Sequence, residues 1–225
     1  LTPIQLSAER IRRKFRKSVE PADLDTFDRC TETIVRQVGD IGRMVDEFSA
    51  FARMPAPQPS EQEAAELLRE AVFARRVADP DIDWVIGEPL PEALVTADGR
   101  MLAQALANVL KNASEAVRAR LAMRSEPPGR IRADIILAGG DLSFVVEDNG
   151  VGLPAKDRDR LTEPYVTTRE KGTGLGLAIV KRVMEDHGGD LELADAKDGP
   201  GARVALRLPR NGGAAPRPAP KQETA

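Results

Sequence analysis

Apolar positions Leu24, Phe27, Thr31, Ile34, Val38, Ile41, Val45, Phe48 and Ala52 recur in alternating steps of three and four. That is the a/d stripe of a heptad repeat, and it predicts a helix with a coiled-coil seam. Ahead of it, Ile4, Ala8, Ile11 and Phe15 also recur at helical spacing, with Pro3 fitting a first turn or a kink. The stretch 18–23, Ser-Val-Glu-Pro-Ala-Asp, breaks the pattern between them. Two helices joined by a short turn make an antiparallel hairpin. One hairpin has too little core to stand alone, so two pair naturally into a four-helix dimer. Gly39 and Gly42 each cost about 1 kcal/mol of helix propensity and fit either a close approach or a bend.

Pro55-Ala-Pro-Gln-Pro-Ser60 then reads as a stiff linker and a domain boundary. Residues 1–54 form the hairpin, 55–60 the linker, 61–210 a second domain and 211–225 a disordered tail rich in Gly, Pro and Ala. In the second domain, Ser60 and Glu63 have capping-box spacing ahead of a helix running to about Arg76. Residues 82–86 alternate like a strand. A long helix follows from Asp98 to about Met123. Residues 131–137 and 142–147 are strands around an Ala-Gly-Gly-Asp turn. A helix from Gly174 to His187 and strands at 191–193 and 202–208 complete the domain. Helices beside a mostly antiparallel sheet make an α/β sandwich, and the whole chain is α+β.

Composition narrows the classes. Hydrophobic residues make up 41% and charged residues 31%, as in a folded soluble protein. The net charge of −3 and 4% aromatics argue against a nucleic-acid surface. The single cysteine, Cys30, excludes an internal disulfide and an all-cysteine zinc site, and reads as a small apolar helix residue. No apolar run approaches the roughly 20 residues that span a bilayer, and no signal peptide is visible. The expected location is cytoplasmic, with no membrane contact. The chain lacks an initiator methionine and enters a helix at once, as a piece of a longer protein would.

Three motifs carry chemistry. Asn108-Val-Leu-Lys-Asn112 puts two asparagines on one face of the long helix. Their amide oxygens are hard neutral ligands that suit Mg²⁺ bridging phosphates, or they are simply solvated. Glu147-Asp-Asn-Gly-Val-Gly152 ends a strand. Its carboxylate can accept from an exocyclic amine such as that of adenine, and its glycines permit close approach to a ligand, or it is a simple turn. Gly172-Thr-Gly-Leu-Gly-Leu177 opens a helix, where free backbone N–H groups and the helix dipole favour phosphate. Its context is not that of a dinucleotide fingerprint, and no Walker A lysine follows.

In this order and spacing the three motifs resemble the Bergerat (GHKL) ATP-binding fold. More narrowly, the chain resembles the cytoplasmic core of sensor histidine kinases. Leu161-Thr-Glu-Pro-Tyr-Val-Thr-Thr-Arg169 is similar to that family's F box, with Thr162 and Tyr165 standing where phenylalanines are usual. Leu1-Thr-Pro-Ile-Gln-Leu-Ser-Ala-Glu-Arg10 resembles the segment after the phosphoacceptor motif, most closely in NtrY-type nitrogen-regulation sensors. In that alignment the acceptor histidine lies about six residues before Leu1, with the acidic residue that assists transfer beside it.

The resemblance implies a two-component sensor kinase core. It binds Mg-ATP for phosphoryl transfer to a histidine absent from this chain, and then to a response-regulator aspartate. Asn112 would coordinate Mg²⁺ with Asn108 beside it, and Lys111 would approach the phosphates or face solvent. Asp148 would read the adenine amine, with Gly150 and Gly152 shaping the pocket. Gly172, Thr173, Gly174, Leu175 and Gly176 would form the phosphate loop and lid hinge, with Tyr165 at the lid base. Residues 153–171 would form the lid, where Arg169 or Lys171 stabilises γ-phosphate charge or is solvated. The implied partners are a second copy through the hairpin and an NtrX-like response regulator, the full-length protein being anchored in the inner membrane. The basic run Arg10, Arg12, Arg13, Lys14, Arg16 and Lys17 is either a contact for that acidic regulator or a solvated face.

Two other classes compete: a GHKL-type ATPase and a non-catalytic dimerisation scaffold. The ATPases use a glutamate near the position of Asn108, and the heptad hairpin is foreign to them. Intact Asn112, Asp148 and glycine loop speak against a degenerate scaffold. His187 is the only histidine. It falls in the last turn of a helix, before Gly188 at a favoured left-handed cap position, so it reads as a structural residue.

Overall fold

The structure, a computed structural model, describes residues 2–167, 173–197 and 199–210. It divides into two compact units with the boundary at Met54 and Pro55.

The first unit is a helical hairpin. α1 (Thr2–Phe15) and α2 (Leu24–Ala52) are joined through a single 3-10 turn (Arg16–Ser18). Its seam is short. Ala8, Thr31 and Val38 are buried, and the Thr31 hydroxyl donates back to the Phe27 carbonyl at 2.9 Å. Across the hairpin, Arg16 forks onto Asp28 at 2.9 Å and Arg12 reaches Glu32 at 3.2 Å. The Arg16 hydrogen bond holds the Asp28 carboxyl below its ordinary range. Two of the six basic side chains of the N-terminal run therefore serve the hairpin itself. Leu24 and Phe27 are half-buried, while Ile34, Ile41, Val45 and Phe48 of the heptad stripe, and Ile4, Ile11 and Phe15 on α1, are exposed. Gly39 makes no close approach in this chain, because a Cβ there would meet nothing within 4 Å. Cys30 lies on α2 and is exposed. Among the described residues, no helix is long and apolar enough to cross a membrane.

The second unit is a sheet covered by helices. Its elements are β1 (Ser60–Glu63), α3 (Ala64–Ala78), β2 (Asp83–Ile86), β3 (Leu94–Ala97), α4 (Gly99–Met123), β4 (Arg130–Ala138), β5 (Asp141–Asp148), α5 (Gly176–Asp186), β6 (Asp190–Asp195) and β7 (Ala202–Pro209). Five strands run in the order β2-β4-β5-β7-β6, with β2–β4 parallel and the other pairs antiparallel. The separate antiparallel pair β1–β3 was not expected. Ser60 and Glu63 belong to β1, opposite Ala97 and Leu94, so they do not form a capping box. Ser60 Oγ accepts from Gln62 Nε2 instead. α5 starts at Gly176, two residues later than expected, because Gly174 has φ +72° and cannot continue a helix.

The core follows the strand period of two. On β5, Leu142, Phe144 and Val146 face the helices, at most 2% exposed. On β7, Leu206 and Leu208 do the same. α4 answers with Leu102, Leu106, Val109, Leu110 and Val117, and packs on β4, β5, α3 and α5. Each such buried side chain contributes about 1.5–3 kcal/mol of transfer free energy.

Asp98 caps α4. Its carboxylate accepts from the Arg100 and Met101 N–H groups at 3.0 and 3.3 Å, and from the Gln58 N–H at 3.0 Å. Burial alone would raise this carboxyl. The hydrogen bonds from Gln58, Arg100 and Met101 outweigh it and leave the group below its ordinary value of 3.8. The carboxylate thus stabilises the fold at neutral pH, and that contribution disappears as pH falls through the depressed folded-state value. Urea unfolding of wild type and Asp98→Asn across pH should show a gap at pH 7 that closes on acidification. A gap constant from pH 7 to pH 2 would exclude this role.

Candidate functional site

The row of core side chains on β5 continues one step beyond Val146 to Asp148, which is 6% exposed. A strand that points every second residue at the helices therefore delivers a carboxylate at its end, under α4. Asp148 Oδ1 accepts the Gly150 N–H at 2.8 Å and the Ala202 N–H at 3.4 Å. The chain then turns against α4, where the Val151 N–H donates to the Ala116 carbonyl at 3.2 Å. Gly150 is required here: a Cβ would lie 2.5 Å from the Ala116 carbonyl carbon. Gly201, just ahead of β7, leaves room for the same turn, since a Cβ there would fall 1.9 Å from the Asp148 carbonyl oxygen. Gly152, at φ +79°, lies beside Gly201.

On α4 itself, Asn108 and Asn112 flank the buried stripe, one turn apart and both half-buried. The Asn108 Nδ2 is buried and has no hydrogen-bond partner among the described residues. A buried amide donor left unpaired costs about 1–3 kcal/mol, and an acceptor such as a phosphate oxygen would remove that cost. Lys111 is exposed. The start of α5 lies against the same helix: a Cβ on Gly176 would sit 3.8 Å from the Asn112 amide nitrogen. Leu175, just before it, is fully buried, and Thr173 is half-buried.

Three sequence motifs thus meet along one helix. Gly176 stands at Asn112, and Gly150 and Val151 stand at Ala116. The described part of the expected lid, residues 153–167 of 153–171, is tied down by Arg158, which forks onto Asp195 at 2.7 and 2.9 Å and donates to the Pro154 carbonyl. Leu161 is buried. Tyr165 is 53% exposed with φ +67°, and its backbone lies against Gly174. Arg169, Lys171 and Gly172 lie outside the described residues.

His187 stands apart from this arrangement. It ends α5, where Gly188 (φ +67°) and Gly189 close the helix by donating to the Glu185 and Met184 carbonyls. Its Nδ1–H donates to the Val183 carbonyl at 2.7 Å, and its Nε2 accepts the Asp98 N–H at 2.9 Å. Both ring nitrogens are occupied, Nδ1 within α5 and Nε2 in linking the end of α5 to the start of α4.

Sequence reasoning missed three contributors. Far along the chain, Gly201 leaves room for the turn and Ala202 holds the Asp148 carboxylate. Arg120, buried on α4, reaches Asn149 inside the carboxylate motif. No local pattern marks a contact across such separations. The only available sign was an arginine at a position continuing the apolar stripe of the helix.

Comparison with known proteins adds to the geometry. The family model for histidine kinase-, DNA gyrase B-, and HSP90-like ATPases matches residues 97–212. The chain is 53% identical over 218 residues to nitrogen regulation protein NtrY of Azorhizobium caulinodans, covering 94% of this chain and 27% of that protein. It is similar to the solved structure of a mycobacterial sensor histidine kinase, MprB, at 29% identity and TM-score 0.57, over 68% of this chain and 97% of that one. It shares its fold with histidine kinase ThkA, solved in complex with response regulator protein TrrA, at TM-score 0.68 and 20% identity, over 93% of this chain and 58% of that one. The chain spans about a quarter to a third of the length of the curated relatives it matches.

Proposed function

The chain belongs to the histidine kinase-, DNA gyrase B- and HSP90-like ATPase family, and from that premise we propose that it is the ATP-binding and dimerisation core of an NtrY-like sensor histidine kinase. Its reaction forms a bond between phosphorus and an acceptor imidazole nitrogen, breaks the bond to the ADP leaving oxygen, and releases the imidazole proton. A response-regulator aspartate then takes the phosphoryl group, an NtrX-like regulator being the partner that NtrY similarity favours.

The observation that carries this reading is the convergence on α4 of a carboxylate turn, an asparagine pair and a glycine-opened helix. Asp148 reads the adenine amine at one end. Asn108, through its unpartnered Nδ2, meets a phosphate oxygen at the other. Asn112 supplies a neutral amide oxygen to Mg²⁺, which when bound neutralises phosphate charge. Gly174 and Gly176 let the chain reach the phosphates, and Lys111, Arg169 and Lys171 bring positive charge to the γ-phosphate. Two copies pair through the exposed apolar residues of the hairpin, since a stripe holding Ile34, Ile41, Val45 and Phe48 needs a cover. The remainder of the longer protein anchors it at the inner membrane.

The acceptor is not His187, whose nitrogens are both engaged. Incubation with γ-labelled ATP and Mg²⁺ should give nucleotide binding without acid-labile label on this chain. An N-terminally extended version carrying the parent protein's own histidine motif should become labelled. Label on His187, or no nucleotide binding at all, would overturn the proposal.

A further inference from the structure

Arg120 is 6% exposed in the last turns of α4, yet no carboxylate pairs with it among the described residues. A buried guanidinium in neutral surroundings is expensive unless something requires its position. Its acceptors are the Pro127 carbonyl at 2.7 Å, the Pro128 carbonyl at 3.3 Å and Asn149 Oδ1 at 3.4 Å. Its Nε and Nη1 are buried without partners. The negative end of the α4 dipole offsets part of that charge.

Asn149 lies between Asp148 and Gly150, but its side chain serves the framework. Oδ1 also accepts the Arg130 N–H at 2.8 Å, Nδ2 donates to the Pro128 carbonyl at 2.8 Å, and its backbone N–H donates to the Arg130 carbonyl at 3.2 Å. Both lone pairs of the amide oxygen are therefore used within the fold. The guanidinium and the amide together lock the 127–130 segment, the end of β5 and the end of α4 into one bracket. Asn112 lies eight residues earlier on the same helix, about 12 Å at 1.5 Å per residue.

We propose that Arg120 and Asn149 form a positioning pair that sets where the Asp148 carboxylate stands relative to the asparagines on α4, and so sets the preference for adenine. This rests on the reading of Asp148 as the group that meets the adenine amine. A single nitrogen, Nη2, donates toward both loop carbonyls and the Asn149 oxygen. A methionine fills a similar buried length but donates nothing to those acceptors.

The test compares the affinity of ATP with that of purine riboside triphosphate, which lacks the exocyclic amine, in the whole chain with Mg²⁺. Wild type should prefer ATP by about 10–100-fold, the worth of a hydrogen bond to a charged group. Arg120→Met and Asn149→Ala should each shrink that preference at least fivefold. His187→Ala serves as the control, because it loosens the α4–α5 link without touching the bracket. A loss of folded protein lowers both affinities together and leaves their ratio unchanged. An unchanged ratio in both variants, or an equal fall in the control, overturns the positioning role while leaving the Asp148 reading intact. No preference in wild type removes the Asp148 reading itself and this inference with it.

Discussion

Replacing Asp148 with alanine should abolish ATP binding, weakening it by at least about 100-fold while the chain stays folded. Two losses add. The variant removes the carboxylate that meets the adenine amine, a charge-assisted hydrogen bond of roughly 1.5–3 kcal/mol. It also frees the Gly150 and Ala202 N–H groups, which Asp148 Oδ1 now holds at 2.8 and 3.4 Å. The turn then loses the acceptor that shapes it. Asp148→Asn separates the two effects, since its amide oxygen can still accept from Gly150 but its NH₂ opposes a donor amine. Calorimetric titration with Mg-ATP should show near-complete loss in both variants. Full affinity in Asp148→Asn would mean that the carboxylate shapes the loop and does not read the base.

Much of this arrangement was legible because its determinants are local. The heptad steps from Leu24 to Ala52 and the α4 stripe from Met101 to Val117 carry the helical period in the residues themselves. The alternation on β4 and β5 carries the strand period, which is why those strands fall within a residue or two of their expected bounds. What escaped was non-local. β1 and β3 are four residues each, too short for their pattern to stand out, and acquire their identity only by pairing with one another. Ser60 and Glu63 have the spacing of a helix start, but the ladder to Ala97 and Leu94 takes the backbone first. His187 was read correctly as a helix end, yet its hydrogen bond to Asp98 spans 89 residues and has no local sign. The same holds for Arg120. An arginine in an apolar stripe reads as a solvated edge until the fold shows it closed over.

The largest effect on stability should come from Asp79, away from the glycine loops. Asp79 is 2% exposed at the end of α3, and its carboxylate receives both Arg75 and Arg118. Arg75 continues to Ser114 Oγ at 2.8 Å, and that hydroxyl donates to the Lys111 carbonyl at 3.0 Å. The Asp79 backbone carbonyl meanwhile accepts the Trp84 indole N–H at 3.1 Å. One anion thus joins α3 to α4, while the Arg75 Nε already lacks a partner. Asp79→Ala would leave Arg75 partly buried with no counter-charge, which costs about 3–5 kcal/mol. For a domain of this size that lowers Tm by roughly 10 °C. Removing the cation together with the anion should recover most of the loss, so Arg75→Met with Asp79→Leu should be clearly more stable than Asp79→Ala. Thermal unfolding of the three proteins decides it. If the double variant is as unstable as Asp79→Ala, the cost lies in packing between α3 and α4, not in the stranded charge. ATP affinity adds a second readout, because α3 sets the seat of the helix that carries Asn108 and Asn112. A weakened cluster should therefore lower affinity at temperatures below the midpoint of unfolding.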